Sequence, residues 1–313
     1  MHKLEIDIVY LWVDGNDPNW LRRKLQLTGN FNENSEQNCK GRYINNNELM
    51  YSLRALEKNA PWIRKVFIVT DNQIPEWLNT ENARVQIVDH TQILAKEALP
   101  CYNSSVIEYY LHNIPGLSEY FLFSNDDMFI NKPVSPESFF NENGLPYIRL
   151  KRKVFGRWHH HFKTLIGQNI GHYRKMLIAS SELVYKITGK YFSGIPHHNI
   201  DAYRKSMYKE CVENVFNKEV KRSCINHVRT DGDLHRSAFS YYVLAKKEGI
   251  LCYVHRKTSS RLLAYRHDLN KYIARYNPYF FCLNDNQKMK DSHRKLIKPF
   301  LEKLYPEKSA FEK

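Results

Sequence analysis

The sequence lacks the features that mark membrane-spanning, secreted and zinc-binding proteins. It has no stretch of roughly 18 apolar residues, the length that indicates a membrane-spanning helix. The start, MHKLEIDIVYLWVDGND, meets acidic residues too early for a signal peptide. Its six cysteines are scattered with no C-x-x-C spacing, so neither a zinc site nor a dense disulfide framework is indicated. These absences favour a cytosolic protein with reduced thiols.

Acidic residues are scarce in the second half of the chain. Residues 1–150 contain 14 Lys and Arg and 19 Asp and Glu, whereas residues 151–313 contain 33 Lys and Arg and 14 Asp and Glu. The net charge of the whole chain is +14. This bias predicts a polyanionic partner, which could be a nucleic acid, an anionic membrane surface or a phosphate-rich substrate. A basic face that is merely solvated is the alternative. Because 42% of the 313 residues are hydrophobic, the chain is expected to be folded and globular.

Four apolar runs in the first half each end on an acid. They are IDIVYLWVDG ending at Asp14, KVFIVTDN at Asp71, VQIVDH at Asp89 and YFLFSNDD at Asp126 and Asp127. Uninterrupted apolar runs of this length are typical of strands buried on both faces of a parallel sheet. A helix is predicted between the first two, in NNNELMYSLRALEKNAP. The order predicts an α/β fold, a Rossmann-like, doubly wound domain with a mainly parallel sheet.

The acids at the strand ends are expected to face a binding site. In doubly wound sheets, ligands bind beyond the carboxyl ends of the strands. Two adjacent carboxylates, such as those of Asp126 and Asp127, repel each other, so a metal, an arginine or a proton usually compensates them. An ordinary Asn-Asp turn that includes Asn125 is the alternative.

The second half has weaker periodicity and a helix-rich pattern. Helices are predicted near 173–188, in SAFSYYVLAKKEG ending at Gly249, and in DSHRKLIKPFLEKLYP; ILCYVH reads as a strand. No repeat or low-complexity linker separates this basic half from the first. One integrated domain is therefore favoured over two independent ones.

Three local motifs offer candidate site residues. In VDGNDPNW, Gly15 permits close approach to a nucleotide, although Asp17 could simply cap the next helix. The tract of three histidines at 159–161 cannot direct all its side chains at one ion from a regular strand or helix. A Gly/Pro-shaped loop holds His197 and His198, either of which could act as a general base.

Two later motifs carry further polar candidates. In HVRTDGDLHRSAFSYY, Arg229 and Asp233 could form an ion pair at a helix start, or Arg229 could bind a phosphate with its planar guanidinium. In FFCLNDNQK, Asp285 could complete a Mg²⁺ site with an acid of the first half.

Taken in order, these stretches resemble the Stealth family of hexose-1-phosphate transferases, which includes bacterial capsular polysaccharide phosphotransferases. IDIVYLWVDGNDPNW resembles the family's first conserved region. The run from RYINNNELMYSLRALEKNAPWIRKVFIVTDNQ to LHNIPGLSEYFLFSNDDMF resembles the second. GIPHHNIDAYRK resembles the third, and HVRTDGDLHRSAFSYY with FFCLNDNQK resembles the fourth.

The resemblance implies a set of site residues. It points to Asp7, Asp14, Arg42, Asp126, Asp127, His197, Arg229 and Asp285, and the local motifs add His198, Gly15, Asn125 and Asp233. Together they give candidate catalytic residues His197, His198, Asp126 and Arg229, candidate substrate-binding residues Asp7, Asp14, Gly15, Arg42, Asn125 and Asp233, and candidate metal ligands Asp126, Asp127 and Asp285. Many relatives have a histidine two residues before the proline of the third stretch, where this chain has Gly194. The working imidazole is therefore left open between His197 and His198.

The resemblance also implies an activity. The enzyme would transfer a sugar 1-phosphate from a UDP-sugar, such as UDP-N-acetylhexosamine, to a hydroxyl of an acceptor sugar. The reaction would use Mg²⁺ or Mn²⁺, release UMP and form phosphodiester-linked capsular polysaccharide. Residues 1–145 would bind the nucleotide sugar, and residues 146–313 would complete the site and hold an anionic oligosaccharide or polysaccharide acceptor.

The implied location is the cytoplasm, at the inner face of the plasma membrane. The further partners would be an anionic membrane surface or capsule assembly proteins. No nucleic acid is expected beyond the donor nucleotide. Two alternatives remain: a nucleotide-sugar glycosyltransferase that releases UDP, and a non-enzymatic polyanion-binding protein. The polyanion-binding alternative leaves the strand-terminal acids unexplained.

Overall fold

The computed structural model describes residues 4–29, 43–153, 156–158, 162 and 170–313. The strands are β1 (Ile6–Leu11), β2 (Val66–Thr70), β3 (Val85–Asp89), β4 (Tyr120–Asn125), β5 (Met128–Ile130), β6 (Tyr147–Lys151), β7 (Ile195–Pro196), β8 (Asp201–Arg204), β9 (Ile250–Tyr253), β10 (Ser259–Leu262) and β11 (Phe280–Leu283). The α-helices are α1 (Pro18–Thr28), α2 (Glu48–Asn59), α3 (His90–Ile93), α4 (Ser104–Tyr109), α5 (His172–Thr188), α6 (Lys205–Glu210), α7 (Asn217–Cys224), α8 (Ser237–Ala245), α9 (Leu269–Tyr276), α10 (Asp291–Arg294) and α11 (Ile297–Leu304).

A five-stranded sheet forms the centre of the fold, in the order β3-β2-β1-β4-β8. The pairs β3-β2, β2-β1 and β1-β4 are parallel, and β8 is an antiparallel strand beside β4. This is the doubly wound arrangement in which the order reverses beside the first strand. All residues of β1 and β2 are buried, as expected for uninterrupted apolar strands covered on both faces. The predicted α/β fold is confirmed.

Two small sheets flank the central one, with orders β10-β11-β5 and β7-β6-β9. The first of them begins where β4 ends, because β5 follows β4 after a turn made by Asp126 and Asp127. Strand β11 pairs antiparallel with β5, and the Leu283 N–H donates to the Asp127 carbonyl at 2.9 Å. The two apolar runs that end in acids and amides are thereby brought side by side.

The hydrophobic core lies on both faces of the central sheet and draws on both halves of the chain. On one face, Val9 and Phe121 belong to a buried cluster with Phe239 of α8. On the other face, Ile8 belongs to a cluster that contains Phe280 of β11. Alternate residues of β1 therefore contribute to opposite layers.

Helix α2 forms where the leucine spacing predicted it. Leu49, Leu53 and Leu56 are all buried, and the helix ends before Pro61. The prediction for the end of α8 was wrong, because the helix stops at Ala245 rather than at Gly249. The left-handed backbone of Lys247, at φ 62°, turns the chain towards β9.

The final amphipathic stretch also differs from the prediction of one continuous helix. It forms α10 and α11, which are separated by Lys295 and Leu296. The two helices differ in burial, since α11 buries Ile297, Phe300 and Leu301 whereas α10 has no buried residue. In the part of the chain that the structure describes, none of the helices combines the length and apolar character needed to cross a bilayer.

Candidate active site

A cleft of about 540 Å³ opens at the carboxyl ends of β1, β2 and β4. Its size lies within the range of roughly 300–1,000 Å³ that is usual for small-ligand sites. The strands contribute Trp12 and Val13 after β1, Asp71 after β2, and Asp126 after β4. This is the edge of a doubly wound sheet where ligands bind. The cations and imidazoles on its walls are Lys151, Arg229, Arg236, Arg261, Lys288, His90, His172, His198 and His235.

Asp126 and Asp127 lie together in the floor of this cleft. Burial raises the pKa of Asp126 well above its usual value, and the neighbouring Asp127 carboxylate raises it further. Burial also raises the pKa of Asp127, to about 7, although the Cys282 thiol donates to its Oδ2 at 3.2 Å. The other Asp127 oxygen, Oδ1, has no hydrogen-bond partner among the described residues. Holding both carboxylates ionised here therefore requires positive charge from outside the pair.

Two more carboxylates line the same edge of the cleft. Glu48, the first residue of α2, accepts from the Asn46 N–H at 2.7 Å, and burial raises its pKa. Asp285 accepts two hydrogen bonds from Arg294, at 2.7 Å from Nε and 3.1 Å from Nη2. Arg294 thus neutralises Asp285 through a bidentate ion pair, whereas Asp126 and Asp127 form no ion pair with an arginine of the described residues.

The Asp126 and Asp127 pair fits a hard divalent cation. Its oxygens are the ligand type that Mg²⁺ and Mn²⁺ prefer, and Mg²⁺ commonly uses one or two carboxylates together with substrate phosphates. The orphaned Asp127 Oδ1 is available as such a ligand. No group of three or more His, Cys, Asp or Glu residues within the described ranges is arranged around one ion position. The third predicted ligand, Asp285, has both oxygens on Arg294, and its metal role stays a prediction.

The two adjacent histidines occupy different environments. His197 is fully buried, and its ring nitrogens lie 3.0 Å from Ser259 Oγ and 3.1 Å from Asp201 Oδ1. Burial lowers the pKa of His197. His198 adopts a left-handed backbone at φ 58° and lines the cleft, with its Nε2 3.4 Å from Asn284 Nδ2. Only His198 of the pair faces the space where a substrate would bind.

A chain of buried ion pairs supports the histidine loop, and no sequence motif indicates it. Arg236 forms ion pairs of 2.8 Å with Glu108 and with Asp201, and its guanidinium lies 4.1 Å from the Phe123 ring centroid. Burial alone would raise the pKa of Asp201, but Arg236 and then His197 lower it to about 2. Asp201 is therefore a buried anion that joins Arg236 to His197.

Arg229 and Asp233 do not pair with each other in the described contacts. Arg229 lines the cleft and donates to Ser104 Oγ. Asp233 is buried outside the cleft lining and accepts from Asn103 Nδ2 at 2.8 Å, from Asn226 Nδ2 at 2.7 Å and from the Thr230 N–H at 2.8 Å. Asp233 therefore organises the loop that presents Arg229.

The other predicted site residues are spread over several positions. Asp7 is buried at the opposite end of β1, where it accepts from Arg64 Nε at 2.9 Å. Asp14 and Gly15 lie in the turn after β1, just beyond the cleft lining, and the Gly15 N–H donates to the carbonyl of Tyr43, which does line the cleft. Asn125 lines the cleft beside Asp126. Arg42 and the histidine tract at 159–161 lie outside the described residues.

The predicted convergence of strand-terminal acids holds for only some of them. Asp71 lines the cleft, where Arg23 donates to it at 3.0 Å. Asp89 instead caps α3, accepting from the Thr91 N–H at 2.9 Å. Sequence reasoning missed His172, which lines the cleft with its Nδ1 paired to Asp231. Its position at the start of a predicted helix gave no sign that it faced a site.

Models of three regions of one family match the chain. "Stealth protein CR1, conserved region 1" matches residues 5–31, "Stealth protein CR2, conserved region 2" matches residues 42–148, and "Stealth protein CR4, conserved region 4" matches residues 272–313. These matches include Asp126, Asp127 and Asp285. The residues that carry His198 and Arg229 lie between the matched regions, so their roles rest on the geometry of the cleft.

Individual proteins are also similar. A capsular polysaccharide phosphotransferase of Haemophilus influenzae is 34% identical over 299 residues, which cover 90% of this chain and 78% of the relative. An exopolysaccharide phosphotransferase of Streptomyces coelicolor is 53% identical over 144 residues, 46% of this chain but only 24% of the relative. Among solved structures, the galactosyltransferase LgtC has a TM-score of 0.47 at 11% identity, covering 97% of this chain and 96% of that one. On the region matches and the H. influenzae relative, this chain belongs to the Stealth family.

Proposed function

We propose that this protein transfers a sugar 1-phosphate from a nucleotide sugar, a UDP-N-acetylhexosamine, to a hydroxyl of an acceptor saccharide. The products are UMP and a phosphodiester that joins donor sugar to acceptor, as part of capsular polysaccharide synthesis at the inner face of the plasma membrane. The main support for the proposal is one observation: a Stealth chain holds an adjacent Asp pair, a histidine and several cations in one cleft. The names of its relatives as polysaccharide phosphotransferases support the reaction class.

The reaction makes one bond to phosphorus and breaks another. The acceptor oxygen bonds to the β-phosphorus of the donor, and the bond from that phosphorus to the bridging oxygen breaks, so UMP leaves with the bridging oxygen and its electron pair. The bond between the donor sugar and its phosphate survives. The site must therefore accept one proton from the acceptor and stabilise the negative charge of two phosphates.

His198 is the residue that takes the acceptor proton in this proposal. It lines the cleft, whereas His197 lies behind it with both ring nitrogens engaged. His197 has the role of a positioning residue, because its bonds to Ser259 and Asp201 fix the loop from which His198 projects. A general base of this kind typically contributes about 10²–10⁴ in rate.

Arginine and lysine side chains provide the fixed positive charge around the phosphates. Arg229 and Arg261 line the cleft, and a planar guanidinium can bind two phosphate oxygens at once. Lys151 lies on the same wall, where burial and then the charge of Arg261 lower its pKa. Asp126 and Asp127 would hold a divalent cation, which when bound neutralises phosphate charge in the donor.

The donor nucleotide is proposed to lie along the β1 and β2 side of the cleft. Val13, Tyr43 and Asp71 line that side. The turn at Gly15 is held against Tyr43 by its N–H bond of 2.8 Å, so the turn fixes the position of this wall. The acceptor would then enter from the side of Lys151 and Arg261, which belongs to the basic half of the chain.

The identity of the released nucleotide tests the proposal. Purified protein is incubated with Mg²⁺, an acceptor oligosaccharide and a panel of UDP-sugars, and UMP is separated from UDP by chromatography. We expect UMP with one donor, strong loss of UMP for Asp126→Asn, and a loss of about 10²-fold or more for His198→Ala. Asp268→Asn is the matched control, because Asp268 is a helix cap outside the cleft and asparagine caps equally well.

Two results would contradict parts of this mechanism. Release of UDP in place of UMP would identify a glycosyltransferase that attacks the anomeric carbon. A larger loss of activity for His197→Ala than for His198→Ala, with the fold of both variants intact by circular dichroism, would reverse the assignment of the base.

A further inference from the structure

Tyrosines and cations, most of them from the second half of the chain, form a strip that leads away from the cleft. Residues 250–280 contain six Lys and Arg, five tyrosines and one acid, Asp268. We define the basic–aromatic strip by Arg152, Tyr253, Arg256, Tyr276, Tyr279 and Lys132. The catalytic assignments above use none of these residues.

The strip begins at the wall of the cleft. Lys151, the last residue of β6, lines the cleft, and Arg152 follows it on the exposed surface. The Arg152 guanidinium lies 5.7 Å from the ring centroid of Tyr253, which is 55% exposed. Tyr253 lies opposite Leu150 in the β6–β9 register, so this tyrosine is one position from the cleft residue Lys151.

The residues after β9 contribute to two further cation–tyrosine pairs of the strip. Arg256 Nη1 donates to Tyr276 Oη at 2.9 Å, and the Arg256 guanidinium lies 5.3 Å from the Tyr276 ring centroid. The Tyr279 N–H donates to the Lys257 carbonyl at 3.1 Å, and Lys132 Nζ lies 4.8 Å from the Tyr279 ring. Three cation–tyrosine pairs are thus linked through backbone neighbours into one surface.

The cations of the strip carry uncompensated charge. Lys132, Arg152 and Arg256 form no ion pair with any residue in the described ranges, and the one acid nearby in sequence, Asp268, pairs with Lys271. Each cation instead lies near a tyrosine ring, which orients it without neutralising it. A surface of this kind favours a ligand that carries spaced negative charges and flat faces that can stack.

We propose that the basic–aromatic strip binds the anionic polysaccharide outside the cleft, with phosphodiesters on its cations and sugar rings on its tyrosines. This inference rests on the proposed function, in which the product contains phosphodiesters. A polymer whose reactive end lies in the cleft must leave past its mouth, and the strip starts at that mouth. The strip would hold the rest of the chain while the end reacts, and so favour long acceptors over short ones.

Polymer binding without donor tests this inference independently of turnover. A purified capsular polysaccharide with phosphodiester-linked repeats is titrated at a series of salt concentrations, with neutral dextran as the uncharged comparison. The variant is Arg152→Ala with Arg256→Ala, and its matched control is Lys218→Ala with Lys221→Ala, an equal charge change on exposed positions of α7.

The expected result is a selective loss in the strip variant. Because each lost phosphate contact removes part of a salt-screened attraction, we expect the double variant to bind the polymer about tenfold or more weakly at low salt, with a shallower slope of log affinity against log salt. Tyr253→Ala is expected to weaken binding several-fold with the slope unchanged. The ratio of kcat/KM on a long acceptor to that on a single repeat is expected to fall in the strip variant alone.

Three outcomes would overturn the inference. They are unchanged polymer binding in the strip variant, an equal loss in the α7 control, and a loss of binding to anionic phospholipid vesicles without a loss of polymer binding. The last would assign the strip to a membrane surface. The wild-type protein could also bind the polymer through the strip and yet release no UMP. That result would overturn the proposed reaction but would still support the strip as a polymer-binding surface.

Discussion

At the scale of single residues, Asp201 connects the buried cation Arg236 to the histidine loop. Its folded pKa is lowered to about 2 from an ordinary value of 3.8, so its charge stabilises the fold above pH 3.8, and this contribution is lost as pH falls through about 2. We predict that Asp201→Asn costs about 2 kcal/mol at neutral pH. The cost should shrink as the pH falls from 3.8 towards 2, which urea unfolding at a series of pH values would show.

The control for this prediction is Asp268→Asn, in which a largely exposed carboxylate is replaced and a small change is expected at every pH. A cost of Asp201→Asn that stayed constant through the acid range would show that the charge of Asp201 adds nothing to its hydrogen bonds.

The histidine pair shows where residue-level prediction from the sequence ends. The Gly/Pro-shaped loop predicted a histidine at a site, and the structure places His198 in the lining of the cleft. What separates it from His197 is the left-handed backbone at His198 and the burial of the His197 ring against Ser259, which is 62 positions away in the chain. Contacts between distant segments leave no local pattern, and the same is true of the Arg236 ion pairs.

At the scale of elements, the turn after β1 depends on the absence of a side chain at Gly15. A Cβ atom there would lie 2.3 Å from the Tyr43 carbonyl oxygen, and Tyr43 lines the cleft. We predict that Gly15→Ala moves the turn away from Tyr43, costs about 1–3 kcal/mol and raises KM for the donor. Urea unfolding and donor kinetics would measure both effects.

Gly232→Ala is the matched control for that substitution. Its Cβ would have only Thr230 Oγ1 nearby, at 3.9 Å, so the same added methyl group meets open space. Stability and donor KM that change equally in both variants would argue against the steric role of Gly15.

The sequence predicted the elements of the sheet better than their ends. Uninterrupted apolar runs located β1, β2 and β4, because burial on both faces demands apolar side chains throughout. The run VQIVDH also located β3, although this edge strand contains Gln86 and buries only Val88. The acids that follow were less uniform, since Asp89 caps a helix while Asp126 faces the cleft. The end of α8 was missed because Lys247, and not a glycine, adopts the left-handed conformation there.

At the scale of the whole molecule, the two halves of the chain contribute side chains of opposite charge to one cleft. The acids of the cleft floor follow strands of the first half, whereas Lys151, Arg229 and Arg261 come from the basic second half. In the proposed reaction, the carboxylates would hold a divalent cation, and the arginine and lysine side chains would surround the phosphate oxygens. We infer that neither half makes a working site alone.

The core shared by the two halves also predicts that they unfold as one unit, which Phe216→Ala tests. Phe216 is fully buried in a cluster that also contains Val9 and Phe121 of the first half, so its truncation should cost about 3–5 kcal/mol. Four of the five tryptophans lie before residue 78. Tryptophan fluorescence therefore reports mainly on the first half, whereas circular dichroism reports on the whole chain. We predict that Phe216→Ala lowers the urea midpoint of unfolding by the same amount with both probes. The control Ile225→Ala, at a 63% exposed position, should shift neither, whereas an unmoved fluorescence midpoint in Phe216→Ala would indicate independent halves.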